Sequence, residues 1–345
     1  MDALGQICSA ALQQYLAHGQ ARGLDTAAAL QQANLDPDHI QKPDTRIHGQ
    51  DFQTLLHALI KQSADPLFGL HTSEFVQPGS YNVIGYIAMS ASTLQEALSK
   101  VSLYEKLVGD MGTTDTTLDA HQVAIRWDCL YRQQPARQHL IDNVLGSWVR
   151  YSRWLTGNDL LAPDQVWLEH PTPPPAQVEE YRRVFLCDVL FEQPCSALVG
   201  APQLLQQPIR QPDPLLLSTL EAHAIQQLNQ LGVDTNLSQR VKQCIQDAIG
   251  HSLPRKETVA ERLGMNVRTL HRRLADEDQS WQKLLDDVRL KQARHLLTTT
   301  ALPQADIAAA LGYSDIRSFQ RSFKRHTAMT PGQYRAKPDN KQIHS

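Results

Sequence analysis

One segment of the C-terminal half of the chain occurs twice. The stretch TVAERLGMNVRTLHRRL (258–274) is matched in order and spacing by DIAAALGYSDIRSFQRSF (306–323), with one extra residue in the second copy. The matching positions are Val259, Ala260, Leu263, Gly264, Leu270, His271, Arg272 and Leu274 in the first copy, and Ile307, Ala308, Leu311, Gly312, Phe319, Gln320, Arg321 and Phe323 in the second. Internal repetition indicates one supersecondary unit used twice, and the lengths predict helix, tight turn, helix.

The ends of the helices are marked in both copies. Gly264 and Gly312 stand where the first helix must stop, at a position that favours left-handed backbone. Asn266 in the first copy, and Ser314 or Asp315 in the second, can then cap the next helix by accepting hydrogen bonds from its free N–H groups. The repeat therefore predicts an all-α half with second helices near 267–276 and 315–326.

Each second helix has one apolar and one polar face. The apolar stripe consists of Val267, Leu270 and Leu274 in the first copy and of Ile316, Phe319 and Phe323 in the second. The polar face presents Arg268, His271 and Arg272, and then Arg317, Gln320, Arg321 and Lys324. Such a face can enter the major groove of DNA, where Arg pairs with guanine and Gln with adenine. A solvated, salt-bridged face is the alternative, and the duplication favours DNA.

The charge is divided between the two parts of the chain. The whole protein has a formal net charge of −3, but residues 240–345 contain 19 Lys and Arg against 11 Asp and Glu. Residues 1–239 are correspondingly acidic. The division suggests one domain for a polyanion and another with a different task. A rigid helix over 280–300 could hold the two basic helices about 34 Å apart, one turn of DNA.

The first two-thirds of the chain mixes helical and strand-like segments. Helical periodicity occurs at 4–18, 51–64, 93–108, 138–156 and 177–187, and strand-like runs at 82–89, 123–127, 165–170 and 188–192. The fold class is thus an α+β N-terminal domain followed by an all-α domain with two helix-turn-helix units. We place an N-terminal domain at 1–210, a connecting helix and linker at 211–238, a DNA-binding domain at 239–337 with units at 256–276 and 304–326, and a tail at 338–345.

Several classes of protein are disfavoured by composition. The 345 residues contain no run of 18 apolar residues, and the N-terminus has no basic segment typical of a secretory signal. The five cysteines are scattered, without CxxC or zinc spacing, which favours reduced thiols in the cytoplasm. We expect no metal, cofactor or catalytic site. The alternatives are a Cys-dependent DNA-repair enzyme fused to a DNA-binding tail, which lacks the necessary Cys spacing, and an architectural DNA binder, which the long acidic domain disfavours.

The C-terminal motifs resemble the AraC/XylS family of bacterial transcription regulators. They are Ile307-Ala308, Leu311-Gly312-Tyr313, Ser318-Phe319, Arg321, Phe323-Lys324-Arg325, Thr330-Pro331 and Tyr334-Arg335. The resemblance covers roughly 240–336 and implies a bipartite helix-turn-helix domain. The resemblance implies that the residues facing the DNA bases are Arg268, His271, Arg272, Arg317, Gln320 and Arg321. We predict Thr269, Ser318, Lys324 and Arg325 as further DNA contacts. Where the family often has Gly after each recognition helix, this chain has Asp278 and Ala328.

The N-terminal part is similar to the effector domain of a subgroup of that family. The segments 64–108 and 166–209 carry the likeness, including a DPxxGL stretch, a TLxEAL helix and an HP loop. The subgroup is labelled after arabinose binding and includes regulators related to the ornithine-utilisation regulator, but the label does not establish arabinose as the ligand. The resemblance implies that 1–210 is a sensing domain, used for effector binding or dimerisation. It also implies an effector-controlled transcription regulator that binds operator DNA and a small molecule and contacts RNA polymerase.

The sequence identifies ligand-binding residues less clearly than it identifies the DNA-binding motifs. Aromatic and basic side chains cluster on the predicted helix 138–156, and we select Trp148, Arg150 and Tyr151, with Tyr86 from an apolar run predicted as a strand, as ligand-binding candidates. Aromatic residues at helical spacing are more often core, and Tyr86 and Trp127 are expected to be core residues. The sequence leaves open the effector, the choice between activation and repression, and a homodimer formed through the N-terminal domain.

Overall fold

The structure is a computed structural model of the 345-residue chain. It describes residues 4–42, 45–118, 122–231, 237–249, 255–263, 265–300, 302–313, 315–327 and 329–335. The chain divides into two compact units, which we call the N-terminal unit (Met1–Leu231) and the C-terminal unit (Gly232–Ser345). The predicted class, an α+β domain followed by an all-α domain, is confirmed.

The N-terminal unit contains both helices and strands. Its helices are α1 (Ala10–Ala21), α2 (Thr26–Gln32), α3 (Pro37–Ile40), α4 (Gly49–Ser63), α5 (Phe68–Thr72), α6 (Val83–Ser90), α7 (Leu94–Tyr104), α8 (Ala136–Thr156), α9 (Pro175–Phe185) and α10 (Pro214–Gln230). Its strands are β1 (Gln6–Cys8), β2 (Arg46–His48), β3 (Gly112–Leu118), β4 (Val123–Cys129), β5 (Gln165–Trp167), β6 (Asp188–Leu190) and β7 (Ala197–Gly200).

The strands form a two-stranded pair and a five-stranded sheet. Strands β1 and β2 are antiparallel, and the larger sheet has the order β3-β4-β7-β5-β6. All neighbours in that sheet are antiparallel except β5 and β6, which are parallel. The parallel pair is joined by α9, as a parallel connection requires a crossover. One face of the sheet packs on the main core, in which α8 is the central helix.

Two predictions from periodicity are wrong. The run 82–89, predicted as a strand, is α6: the Asn82 side chain accepts a hydrogen bond from the N–H of Val83 (2.7 Å) and starts the helix. Because α6 is apolar on nearly every side, its pattern does not distinguish a buried helix from a buried strand. Consequently Tyr86, expected in the core, is 43% exposed. The predicted helix 4–18 begins only at α1, because Gln6–Cys8 pairs with β2 instead.

Buried polar side chains cluster around α8. Asp142 is fully buried, and one of its carboxylate oxygens accepts a hydrogen bond from the hydroxyl of Tyr181 (2.7 Å), while the other lies 3.4 Å from Nε2 of His170. Nδ1 of His139 accepts a hydrogen bond from the backbone N–H of Gly69 (3.1 Å), so this imidazole is neutral in the fold. Burial raises the pKa of Asp142 to about 8 and lowers the pKa values of His139 and His170 to about 4.

We expect the stability of the protein to rise with pH between about pH 4 and 6.5. Burial lowers the pKa of His18 to about 4 as well, so His18, His139 and His170 take up protons in this window only after unfolding. Asp142 acts in the opposite direction, because its stabilising contribution is lost as pH rises toward its raised pKa of about 8. Each proton changes the unfolding free energy by about 1.4 kcal/mol per pH unit.

Urea unfolding at half-unit pH steps measures this dependence. The variant Asp142→Asn cannot titrate at this position, so its stability should decline less than that of the wild type between pH 6.5 and 8. An acid limb that is flat from pH 4 to 6.5 would contradict the assignment of neutral, buried histidines.

Helix α10, predicted as a connecting helix, packs as part of the N-terminal unit. Its Leu217, Ala224 and Leu228 are buried against α6 and the end of α7. Glu221 on α10 accepts a hydrogen bond from the Tyr104 hydroxyl (3.2 Å) and pairs with the ammonium group of Lys100 (2.8 Å). An apolar contact and a buried ion pair thus attach α10 to α6 and α7.

The C-terminal unit is helical throughout its described residues. Its helices are α11 (Leu237–Ala248), α12 (Lys256–Arg262), α13 (Val267–Asp276), α14 (Trp281–Thr299), α15 (Gln304–Ala310), α16 (Ile316–Thr327) and α17 (Pro331–Arg335). Two separate cores form, one around α11 to α13 and one around α15 to α17. The long helix α14 contributes its first half to the first core and its second half to the second.

Candidate nucleic-acid interface and effector cavity

Helix α13 is capped and oriented as the repeat predicts. The side chain of Asn266 accepts a hydrogen bond from the N–H of Thr269 (2.8 Å), which satisfies one free donor of the first turn. Leu270 and Leu274 are buried in the first core. The side chains on the other face, Arg268, His271 and Arg272, are exposed, and Thr269 is half-buried. Packing of the leucines therefore presents the basic face to solvent.

Helix α16 repeats this arrangement with a different cap. The carboxylate of Asp315 accepts hydrogen bonds from both the N–H and the hydroxyl of Ser318 (2.8 Å each). Phe319 and Phe323 are buried in the second core. The predicted contact residues Arg317, Gln320, Arg321, Lys324 and Arg325 are exposed, and Ser318 is half-buried. Ile316, which was predicted to continue the apolar stripe, is 38% exposed because it is the first residue of the helix and lies beyond the second core.

The exposed face of α16 forms one side of an open concave surface. This basic concavity has a volume of about 770 Å³, and the starts of α15 and α17 form its other sides. Its lining residues are Gln304, Arg317, Gln320, Arg321, Lys324, Arg325, Thr330 and Gly332. Four of these side chains are cationic, and no carboxylate is among the described residues that line it. A surface with this charge and curvature attracts a polyanion.

Besides Ser318, whose hydroxyl donates to Asp315, two further predicted contact residues are engaged within the protein. Arg325 pairs with the carboxylate of Asp286 on α14 (3.1 Å), and the amide of Gln320 donates a hydrogen bond to the side chain of Gln304 (2.9 Å). Gln304 was not singled out in the sequence, because its position beside α16 depends on how α15 packs. Arg317, Arg321 and Lys324 complete the basic face of α16.

Helix α14 joins the two helix-turn-helix motifs of the C-terminal unit by specific contacts. Its 19 residues span about 28 Å at 1.5 Å per residue. The guanidinium of Arg289 donates hydrogen bonds to the backbone carbonyls of Leu311 (2.8 Å) and Gly312 (2.6 Å), and it lies 4.5 Å from the ring centre of Tyr313. These contacts satisfy carbonyls at the end of α15 and attach the second helix-turn-helix to the spacer.

Of the two predicted turn glycines, Gly312 lies within the described residues. Gly312 has a φ of +73°, the left-handed conformation expected where α15 stops. The predicted turn or cap positions Gly264, Ser314 and Ala328 lie outside the described residues.

Asp278 occupies a position that suits glycine. It has a φ of +55°, and the N–H of Gln279 donates to the carbonyl of Leu274 (2.8 Å), a pattern that ends many helices with a left-handed residue. A side chain at such a position is strained, and a carboxylate at the end of a helix also meets the negative end of the helix dipole.

We therefore expect Asp278→Gly to stabilise α13 by about 1 kcal/mol. Amide hydrogen exchange of α13 peptides in the full chain measures the gain, which should appear as slower exchange. Asp278→Ala is the matched control: it removes the same charge but keeps a Cβ, so its gain should be smaller and limited to the relief of the unfavourable charge. Equal protection in both variants would assign the effect to charge rather than to backbone conformation.

The described residues of the N-terminal unit enclose, among others, two adjacent cavities of about 120 Å³ each. The first, here the apolar cavity, is lined mainly by aliphatic residues of α7, α8 and the sheet. The second, here the polar cavity, includes polar groups, namely Gln14, Ser80, Tyr81, Glu105, Thr114, Asn143 and Ser147. Four residues line both cavities, namely Ala88, Val101, Trp148 and Tyr151. The cavities are therefore adjacent parts of one region of the unit.

The predicted ligand residues divide into two groups. Trp148 and Tyr151 line both cavities, whereas Tyr86 and Arg150 are exposed and line neither. Arg150 was selected because it is close in sequence to the aromatic residues, but on α8 it lies on a different face from Trp148 and Tyr151. The polar residues Glu105 and Asn143 were missed, since they come from distant segments and only tertiary packing brings them together.

Two of the cysteines have pKa values far from those of reactive thiols. Burial raises the pKa of Cys129 to about 12 and that of Cys187 to about 11, whereas an activated nucleophile has a lowered value. Within the described ranges there is no group of three or more His, Cys, Asp or Glu residues that could hold a metal ion. The helices described are all too short or too polar to cross a membrane.

Comparison with known families covers both units. The family described as the arabinose-binding domain of AraC transcription regulator, N-terminal, matches residues 23–209, more than half of the chain. The chain belongs to the AraC family of transcription regulators. A helix-turn-helix domain family matches residues 259–337 of this AraC-family regulator. The resemblance inferred from the motifs is thereby confirmed, including the subgroup of the N-terminal domain.

Curated relatives are similar to this AraC-family regulator over nearly its full length. The ornithine utilization regulator of Pseudomonas aeruginosa is 27% identical over 92% of both chains. The transcriptional regulator VirS of Mycobacterium tuberculosis is 26% identical over 91% of this chain and 92% of its own. Among solved structures, that of the regulator CdpR from Pseudomonas aeruginosa covers 90% of this chain and 96% of its own at 22% identity, with a TM-score of 0.49.

Proposed function

We propose that this regulator reads an operator with α13 and α16 and that a small molecule in the N-terminal unit controls it. The observation that carries the proposal is the duplicated basic face, exposed on two capped helices attached to one rigid helix. The exposed groups of α13 and α16 have the chemistry needed for bases and phosphates.

The roles of the side chains follow from their positions. The exposed faces carry four arginines that are suited to donate bidentate hydrogen bonds to guanine O6 and N7. They are Arg268 and Arg272 on α13, and Arg317 and Arg321 on α16. Gln320, whose side-chain amide donates a hydrogen bond to Gln304, is suited to an adenine edge. His271, on the exposed face of α13, is likewise assigned to the bases.

The remaining polar groups are suited to fix the register of the protein on DNA. Lys324 and Arg325 are exposed toward the end of α16. We assign phosphate contacts to these groups and to the half-buried Thr269 and Ser318. Phosphate contacts position the protein without reading sequence, and they make binding depend on salt.

Control by an effector is proposed to pass through α10. The polar cavity contains Glu105, which directly follows Tyr104, and the Tyr104 hydroxyl donates a hydrogen bond to Glu221 on α10. Helix α10 is the last helix of the N-terminal unit before the helix-turn-helix domain begins in the chain. A ligand that binds two arrangements of this region with different affinity would shift their populations.

The partners follow from this assignment. We propose that the protein acts in the bacterial cytoplasm as an activator, bound to a double-stranded operator and in contact with RNA polymerase, and that a second copy pairs through the N-terminal unit. We assign no catalytic step to the chain. The raised pKa values of Cys129 and Cys187 give no support to a cysteine-dependent repair reaction.

Selection from a randomised library of duplexes with the full-length protein tests the proposal. We expect one enriched motif with two half-sites about one helical turn apart, roughly 34 Å. Its binding should weaken steeply with salt but exceed binding to unselected duplexes at every salt concentration. Enrichment of no motif, with uniform binding that vanishes at physiological salt, would sink the proposal of sequence-specific reading.

A further inference from the structure

The polar cavity contains a buried hydrogen-bond donor without a partner. The carbonyl oxygen of Asn143 accepts hydrogen bonds from the Gln14 amide (3.0 Å) and the Tyr15 hydroxyl (2.9 Å). The amide nitrogen of Asn143, whose side chain is buried, has no hydrogen-bond partner among the described residues. An unsatisfied buried donor is costly, and an acceptor on a ligand would satisfy it.

Only one charged side chain lines either cavity in the described part of the chain, and it is acidic. Glu105 lines the polar cavity, and one of its carboxylate oxygens accepts a hydrogen bond from the backbone N–H of Thr114 (3.0 Å). Burial raises the pKa of Glu105, against the hydrogen bonds from Thr114 and the charge of Lys106. Lys106 itself is paired with Asp110 (2.6 Å) and lines neither cavity. The cavity therefore favours a positive charge and disfavours an anion.

Aromatic rings surround the same space. Tyr81, Trp127, Trp148 and Tyr151 all line the polar cavity. The faces of such rings attract cations, and a cluster of rings beside a carboxylate is the arrangement that recognises ammonium groups. Two features therefore agree on the sign of the ligand's charge. They are the aromatic lining, and the lining charge, which is one carboxylate without a Lys, Arg or His among the described residues.

The apolar cavity limits the size of the rest of the ligand. Its volume is about 120 Å³, somewhat smaller than the apolar cavity of about 150 Å³ that accepts benzene in an engineered protein. Trp148 and Tyr151 line both cavities, so one molecule can extend from one to the other.

We propose that the effector is a small organic cation, an amine or ammonium compound with an apolar group no larger than a benzene ring, whose charged end lies among the rings beside Glu105. Any hydrogen-bond acceptor on its connecting chain would meet the amide of Asn143. That this compound regulates the protein rests on the proposed effector control. The predicted class of ligand depends only on the residues that line the cavities.

Calorimetric titration of the full-length protein with three matched compounds tests the inference. The compounds are 2-phenylethylamine, 2-phenylethanol and 3-phenylpropanoate, which share a phenylethyl group and differ in charge. We expect the amine to bind at least about ten-fold more tightly than the alcohol, and the carboxylate not to bind measurably. Equal affinities, tighter binding of the carboxylate, or no binding of the amine would overturn the assignment.

Glu105→Gln keeps the shape of the cavity but removes its charge, so the amine should lose its advantage over the alcohol. Glu179→Gln, which changes an exposed carboxylate on α9, should leave the ranking unchanged. A retained preference for the amine in Glu105→Gln would contradict the role of Glu105. If that variant does not fold, the relative affinities of the wild type for the three compounds still decide the ligand class. Operator binding is measured separately with and without the amine: amine binding without any effect on operator affinity would reject effector control and leave the ligand class intact.

Discussion

We expect the double variant Arg272→Ala/Arg321→Ala to bind the selected operator at least about thirty-fold more weakly than the wild type. Each of these arginines lies on the exposed face of a different recognition helix, α13 or α16. An arginine that forks onto guanine contributes about 1–3 kcal/mol of discrimination, and contributions from separate helices are close to additive. Both side chains are exposed, so their removal should leave the fold unchanged.

Fluorescence anisotropy with operator and unselected duplexes at several salt concentrations measures the effect. The charge-matched control is Arg182→Ala/Arg294→Ala, which removes two exposed arginines outside α13 and α16. We expect this control to bind within a few-fold of the wild type. If the double variant loses the same factor on unselected DNA, the two arginines contact phosphates, and base reading belongs to other residues.

Replacement of Glu221 by alanine should destabilise the N-terminal unit by about 3–5 kcal/mol. The ammonium group of Lys100 lies 2.8 Å from this carboxylate, and the Lys100 side chain is only 2% exposed. Without Glu221 the charge is buried and unpaired, and the Tyr104 hydroxyl also loses its acceptor on α10. Desolvation of the unpaired charge, rather than loss of the attraction alone, accounts for the size of the effect.

Urea unfolding monitored by circular dichroism measures this loss, and hydrogen exchange of α10 locates it. The control Lys100→Met/Glu221→Leu replaces both charges by apolar groups of similar length, which should be tolerated far better than the single change. A loss below about 1 kcal/mol in Glu221→Ala would mean that solvent screens the pair, as at exposed sites. Helix α10 would then be held by Leu217, Ala224 and Leu228 alone.

The helix-turn-helix half was predictable because its signals are local. The cap residue Asn266 bonds an N–H three residues away, and the buried residues Leu270 and Leu274 are about one helical turn apart. Both features can therefore be predicted from a short stretch of sequence. Duplication reinforced each signal. The same reading failed for α6, because a segment buried on nearly all sides has no periodic pattern to report. The pairing of β1 with β2 was missed for a related reason, since the partner strands are distant in sequence.

The sequence by itself determined the class of the fold, the two capped helices and the residues that occupy their exposed faces. Only the tertiary structure decided which of those residues are engaged, because Arg325 meets Asp286 through the packing of α16 on α14. It alone also located the cavities, in which Glu105 and Asn143 come together from separate helical segments. Caps and stripes depend on neighbours in the chain, whereas a cavity depends on long-range packing that no short segment encodes.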